Sequence, residues 1–142
     1  MPGTLTFKPL QANLKHDQDF IGKMNPYCKV KIGGQKIRGS VCKKGGKHPS
    51  WDDTIVVRRN NESACEIKLS DKNILTPDSL IGACKVDLDA VAALGRVTRW
   101  LDVIRKDKVE GQLLVEITYN PHLKGGLKRK MLHEKCLLQE CL

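Results

Sequence analysis

Eight short apolar or alternating runs, each closed by turn residues, leave this chain little choice but an antiparallel all-β fold. The runs are Leu5–Leu14, Tyr27–Ile32, Lys36–Lys43, Asp53–Arg58, Cys65–Leu69, Gly82–Leu88, Val97–Leu101 and Gln112–Tyr119. Strands at that spacing predict an eight-stranded antiparallel β-sandwich. Gly33-Gly34 between the second and third runs signals a tight hairpin. His48-Pro49-Ser50 and Thr76-Pro77-Asp78 carry loop chemistry, and Asp89–Leu94 suits a single helical turn. A length of 142 residues fits one domain that can bury a core without disulfide staples.

Aromatic residues make up only 4% of the chain, so the core is expected to be Ile, Leu and Val, with Trp51 and Trp100 as anchors. Cys28, Cys42, Cys65 and Cys84 sit in strand-like apolar runs with no CxxC spacing, which predicts buried reduced thiols. His16, His48, His122 and His133 are scattered and form no zinc-ligand spacing. No apolar run approaches the roughly 18 residues of a spanning helix. The start MPGTLTFKPL lacks a signal peptide's charged end and apolar centre, so a cytoplasmic protein is expected, with any membrane attachment peripheral.

Charge is unevenly placed. Between Lys23 and Arg59, ten basic side chains face only Asp52 and Asp53, a local net of +8 within a chain of net +9. From Asn60 to Pro121 the balance is −2. Such concentration points to an anionic partner. Alternation in the second run puts Tyr27, Lys29 and Lys31 on one face and Cys28, Val30 and Ile32 on the other. Lys36 and Arg38 share a face of the next run. If the register allows, all four cations converge on one surface, which Lys43, Lys44 and Lys47 extend; the bland alternative is a solvated strand face.

Four stretches in order carry a resemblance. DFIGKMNPYCKVKIGG resembles the first calcium loop and third strand of C2 domains. HPSWDD resembles their Asn-Pro-x-Trp-Asn-Glu turn, SDKNILTPDSLIGACKVDL their third loop, and EGQLLVEITYNP their last strand. The set is most similar to small single-domain plant elicitor-responsive C2 proteins of type II topology. It implies a C2-like domain over residues 1–121, followed by a basic tail at 122–142.

The resemblance also implies a job, docking on anionic phospholipid membranes, often through calcium. The family's five aspartate positions match Asp19, Asn25, Asp71, Asn73 and Ser79, so only two carboxylates remain. Calcium wants about six to eight oxygens and charged ligands, so at most one weak ion is expected, with Asp17 and Asp78 as nearby carboxylates that could compensate. Asp19 and Asn25 equally suit plain turn chemistry. Tyr27, Lys29, Lys31, Lys36 and Arg38 match the family's lysine-rich groove, which receives phosphoinositide headgroups. Phe20, Ile74 and Leu75 match its membrane-inserting tips, or else pack beneath the loops.

In the tail, Leu127, Met131, Leu138 and Leu142 recur near helical spacing among lysines, so residues 127–142 suit either a basic amphipathic helix or a frayed end. Cys136 and Cys141 are candidates for palmitoylation; QECL has no cysteine at the position prenylation needs. A competing reading is a calcium-independent module that binds an acidic protein partner. Nucleic acid is not expected, because few aromatics are present to stack bases. No GxSxG, phosphate loop or HExxH supports an enzyme.

Overall fold

The computed structural model describes residues 2–16 and 23–122. The elements are β1 Gly3–Leu14, β2 Pro26–Ile32, β3 Gln35–Arg38, β4 Ile55–Arg59, β5 Ala64–Asp71, β6 Ser79–Asp87, α1 Leu88–Leu94, β7 Arg96–Arg105 and β8 Lys108–Pro121. All strand pairs are antiparallel, in the order β3-β2-β5-β6-β7-β8-β1-β4. The sheet parts where β6 meets β7, which are joined by the single pair Ala83↔Ile104. Two four-stranded layers therefore face each other, and the first strand lies between the last and the fourth, the type II order.

Alternation decides what lies between the layers. Leu5, Phe7, Val30, Ile32, Ile67, Leu69, Leu113 and Ile117 all point inward and are buried. Cys28, Cys65 and Cys84 are buried free thiols in the same core. Burial pushes the thiols of Cys65 and Cys84 up to about 12 and that of Cys28 well above its usual value.

The tight hairpin forms as its glycines predict: Ile32 pairs with Gln35, and Gly33 supplies the left-handed φ of +54°. The short helix also forms. Asp87 caps it by accepting from Ala90 N at 3.1 Å, and Gly95 closes it at φ +82° with its N–H on Val91 O.

Three expectations need correction. The third strand stops at Arg38 instead of Lys43: Gly39 N still reaches Cys28 O at 2.8 Å, but the register then slips, Pro26 O accepting from Cys42 N at 2.8 Å, while Ser40 N turns to the Asp53 carboxylate. Cys42 consequently lies half-buried in the loop after that strand. Trp100 is not a core anchor. Val103 and Leu101 take the inward parity of β7, so Trp100 faces out and is 43% exposed. Trp51 does pack against the core, with its indole N–H on Pro26 O at 3.1 Å.

Candidate binding surfaces on the basic face and at the loop end

The first surface is built by register. Lys29 lies opposite Arg38, and Lys31 opposite Lys36, across β2 and β3. On the other flank of β2, Lys29 lies opposite Lys68 and Lys31 opposite Glu66 of β5. The expected convergence of Lys29, Lys31, Lys36 and Arg38 is therefore present, and it gains a fifth cation. Sequence reasoning missed Lys68; the cue was the alternation Glu66, Lys68, Ser70 on β5, which shares the period of β2.

The cations press on one another. Lys68 alongside holds the Lys31 ammonium below its usual pKa, and Lys36 adds to this while Glu66 offsets it. Glu66 is also 3.8 Å from the Lys68 ammonium, so part of the charge is balanced within the face.

Tyr27 closes the face toward the loops. It is buried, only 4% exposed, and the Arg38 guanidinium stacks 4.6 Å from its ring centroid. Its hydroxyl donates to Asp78 Oδ2 at 2.5 Å. Burial and the Asp78 carboxylate push the Tyr27 hydroxyl above its usual pKa. That hydroxyl, with Asn73 N at 3.1 Å and the Lys72 ammonium at 3.6 Å, holds Asp78 below the usual carboxylate range. Asp78 thus turns into its loop and is already engaged.

The loop end carries the positions that match a calcium site. Asp71 is fully buried and its Oδ1 accepts from Asn25 N at 2.8 Å. Asn25 Oδ1 accepts from Lys44 N at 2.9 Å. Asn73 spends its amide hydrogens on Pro77 O and Ser79 Oγ. Among the described residues no three His, Cys, Asp or Glu side chains gather as metal ligands. Polar atoms of Asn25, Asp71 and Asn73 among the described residues are hydrogen-bonded within and between loops, and the Lys72 ammonium sits beside Asp78. Asp17, Asp19, Phe20, Cys136, Cys141 and the tail from Leu127 lie outside the described residues. Ile74 and Leu75 do not pack beneath the loops: they are 95% and 96% exposed. No helix among the described residues is long and apolar enough to cross a membrane.

The comparisons agree with the fold. The C2 domain family pattern matches residues 3–103. Elicitor-responsive protein 3 of Oryza sativa subsp. japonica is 26% identical over 121 residues, covering 84% of each chain. Among solved structures, a C2 domain-containing protein from a putative elicitor-responsive gene superposes with a TM-score of 0.76 at 23% identity, covering 87% of this chain and 93% of its own. The calcium-bound tandem C2 domains of Extended-Synaptotagmin 2 superpose at 0.70 and 22% identity, covering 82% of this chain and 45% of their own. A family pattern spanning most of the sandwich, together with the two-layer strand order, settles the classification: the chain belongs to the C2 domain family.

Proposed function

We propose that this C2 domain is a binding module that docks on anionic phospholipid surfaces through its basic face, with calcium contributing weakly or not at all. The observation that carries the reading is the register that sets Lys29 against Arg38 and Lys31 against Lys36, with Lys68 alongside. Lys29, Lys31, Lys36 and Arg38, with Tyr27 at the rim, receive the headgroup phosphates, and phosphoinositides offer the most charge to match them. Each Lys or Arg near an anionic leaflet contributes about 1 kcal/mol, so four give reversible, salt-sensitive attachment. Asn25, Asp71, Asn73 and Ser79 are weak calcium candidates at best, because their polar atoms already brace the loops.

The test is sedimentation with neutral vesicles and with vesicles containing a phosphoinositide, in chelator and in millimolar calcium. Binding to the charged vesicles in chelator is expected, with a loss of about 30-fold for Lys29→Gln/Lys31→Gln. Equal binding to both vesicles would remove the lipid reading. In that case, capture of an acidic peptide that depends on Lys29 and Lys31 would establish the protein-partner alternative.

A further inference from the structure

β6 and β7 meet at a single residue pair, Ala83↔Ile104. Beyond it the strands diverge and leave a seam between residues 85–87 of β6 and residues 97–101 of β7. The helix α1 follows β6 directly and packs against β7 and β8. The seam holds a cavity of about 200 Å³. Its floor is apolar, formed by Val97 and Leu101 of β7, Val115 and Ile117 of β8, and Val91 of α1. Its rim is charged, with Lys85, Asp87 and Arg99 all exposed.

Arg99 breaks the alternation of β7. It lies opposite Val115, between the pairs Val97↔Ile117 and Leu101↔Leu113. Val115, Ile117 and Leu113 are all buried. Paired residues share a face of the sheet, so Arg99 leaves β7 on the inward side, where the core is built. A long stem that covers apolar surface while its charged head stays wet accounts for part of this. The cavity beside it and the lack of a counter-charge are not accounted for in that way. Among the described residues, no carboxylate forms an ion pair with Arg99 or Lys85. Asp87, the one carboxylate on the rim, caps α1 through Ala90 N at 3.1 Å.

We infer that the seam between β6 and β7 is a binding site for a small amphipathic monocarboxylate. Its apolar body lies on Val97, Leu101, Val115 and Ile117, and its carboxylate meets the Arg99 guanidinium, with Lys85 nearby. Three features set this class. The cavity is larger than the roughly 150 Å³ that holds benzene in an apolar protein interior and smaller than the roughly 300 Å³ at which sites for drug-sized ligands begin, which admits a body of about eight carbons. A guanidinium presents parallel N–H donors that match a carboxylate. Asp87 on the rim opposes a second negative charge, which favours a monoanion over a phosphate dianion. Arg99 and most of the floor belong to the layer of β7, β8, β1 and β4, whereas Lys29 and Lys31 belong to the other layer, so the inference does not rest on the membrane reading.

The experiment titrates the isotope-labelled full chain with octanoate at about pH 8, without vesicles, and follows amide chemical shifts. Saturable one-to-one shifts are expected at Ala90, Val97, Arg99 and Leu101. Octanol, which keeps the body and lacks the charge, is expected to bind at least about tenfold more weakly. Octyl phosphate carries two charges at that pH and is expected to bind several-fold more weakly than octanoate. Arg99→Met keeps a stem over Val115 and should lose about tenfold in affinity. Ala90→Leu adds bulk to the cavity from α1 without touching a charge and should abolish binding. A cooperative urea transition checks the fold of each variant. Lys29→Gln/Lys31→Gln is expected to bind octanoate with parental affinity. Absence of saturable shifts in the parental chain overturns the inference, as does equal binding of octanol, tighter binding of octyl phosphate, or parental affinity in Arg99→Met or Ala90→Leu. If octanoate does not bind and Arg99→Met only lowers the urea midpoint, Arg99 is a cover for the core and the site is refuted.

Discussion

Tyr27→Phe deletes one oxygen at the junction of the two surfaces and leaves the ring beneath Arg38. The lost bond, Tyr27 Oη to Asp78 Oδ2 at 2.5 Å, joins β2 to the loop before β6 across 51 residues of chain. A hydrogen bond to a charged acceptor contributes about 1.5–3 kcal/mol net. Asp78 keeps Asn73 N and Lys72, and its side chain is 22% exposed, so water can replace part of what is lost. The expected coupling between Tyr27 and Asp78 is therefore about 1–1.5 kcal/mol at neutral pH. A double-mutant cycle of Tyr27→Phe and Asp78→Asn by urea unfolding isolates it.

The coupling has a definite pH window. Asp78 titrates lower in the fold than its ordinary 3.8, so its contribution is full above that value and is lost as pH falls through the depressed folded pKa. Tyr27 titrates above its ordinary 10.0, so the neutral hydroxyl keeps contributing up to that pH and loses the contribution as pH rises through the raised value. A plateau between about pH 4 and pH 10 should fall away on both sides. A coupling below about 0.3 kcal/mol at neutral pH, or one that persists undiminished at about pH 2.5, would refute the reasoning.

Other perturbations have equally definite outcomes. Gly111→Ala should cost about 2–4 kcal/mol in urea unfolding, because an added Cβ would meet Leu14 Cα at 2.8 Å and Gly111 sits at φ +150°. Phe7→Ala should cost about 3–5 kcal/mol, whereas Trp100→Ala, on the outer face, should cost under about 1 kcal/mol. Asp87→Ala removes the helix cap and should cost about 1 kcal/mol in the same assay. In a Cys136→Ser/Cys141→Ser background, a thiol reagent at about pH 8 should label Cys42 promptly and Cys28, Cys65 and Cys84 only on unfolding, as read by peptide mapping.

What could be read from the residues followed how local each constraint was. The hairpin at Gly33-Gly34 and the two faces of β2 depend on neighbours one or two positions apart, and both appear as expected. Past Arg38 the register slips, with Pro26 O accepting from Cys42 N, and Asp53 reaches Ser40 from 13 residues away; period alone could not reveal either contact. Lys68 joins the basic face only through the pairing of β2 with β5, another long-range register. Trp100 shows a different failure: large aromatic character was given more weight than its place in the alternation that buries Val103. At the loop end the donor residues were visible, but their use was not. Asn25, Asp71, Asn73 and Ser79 read as a depleted ligand set, and only the hydrogen bonds show them bracing the loops.

A cup rich in aspartates repels itself until a divalent ion arrives, so such loops need the ion both to settle and to attract an anionic leaflet. In this chain the described loop residues are joined by protein hydrogen bonds and an ion pair. Asn25 accepts from Lys44 N with its side-chain oxygen and from Lys72 N with its carbonyl, and Asp78 is balanced by Lys72 and by the Tyr27 hydroxyl. The same tyrosine lies under Arg38, at the edge of the Lys29–Lys31 face. One short chain, Lys72–Asp78–Tyr27–Arg38, therefore links the loop end to the basic face, and breaking it at the tyrosine hydroxyl removes no positive charge. If the link matters for docking, Tyr27→Phe should weaken vesicle binding while every lysine remains. If it matters only for the fold, binding should be untouched and the cost should appear in urea alone.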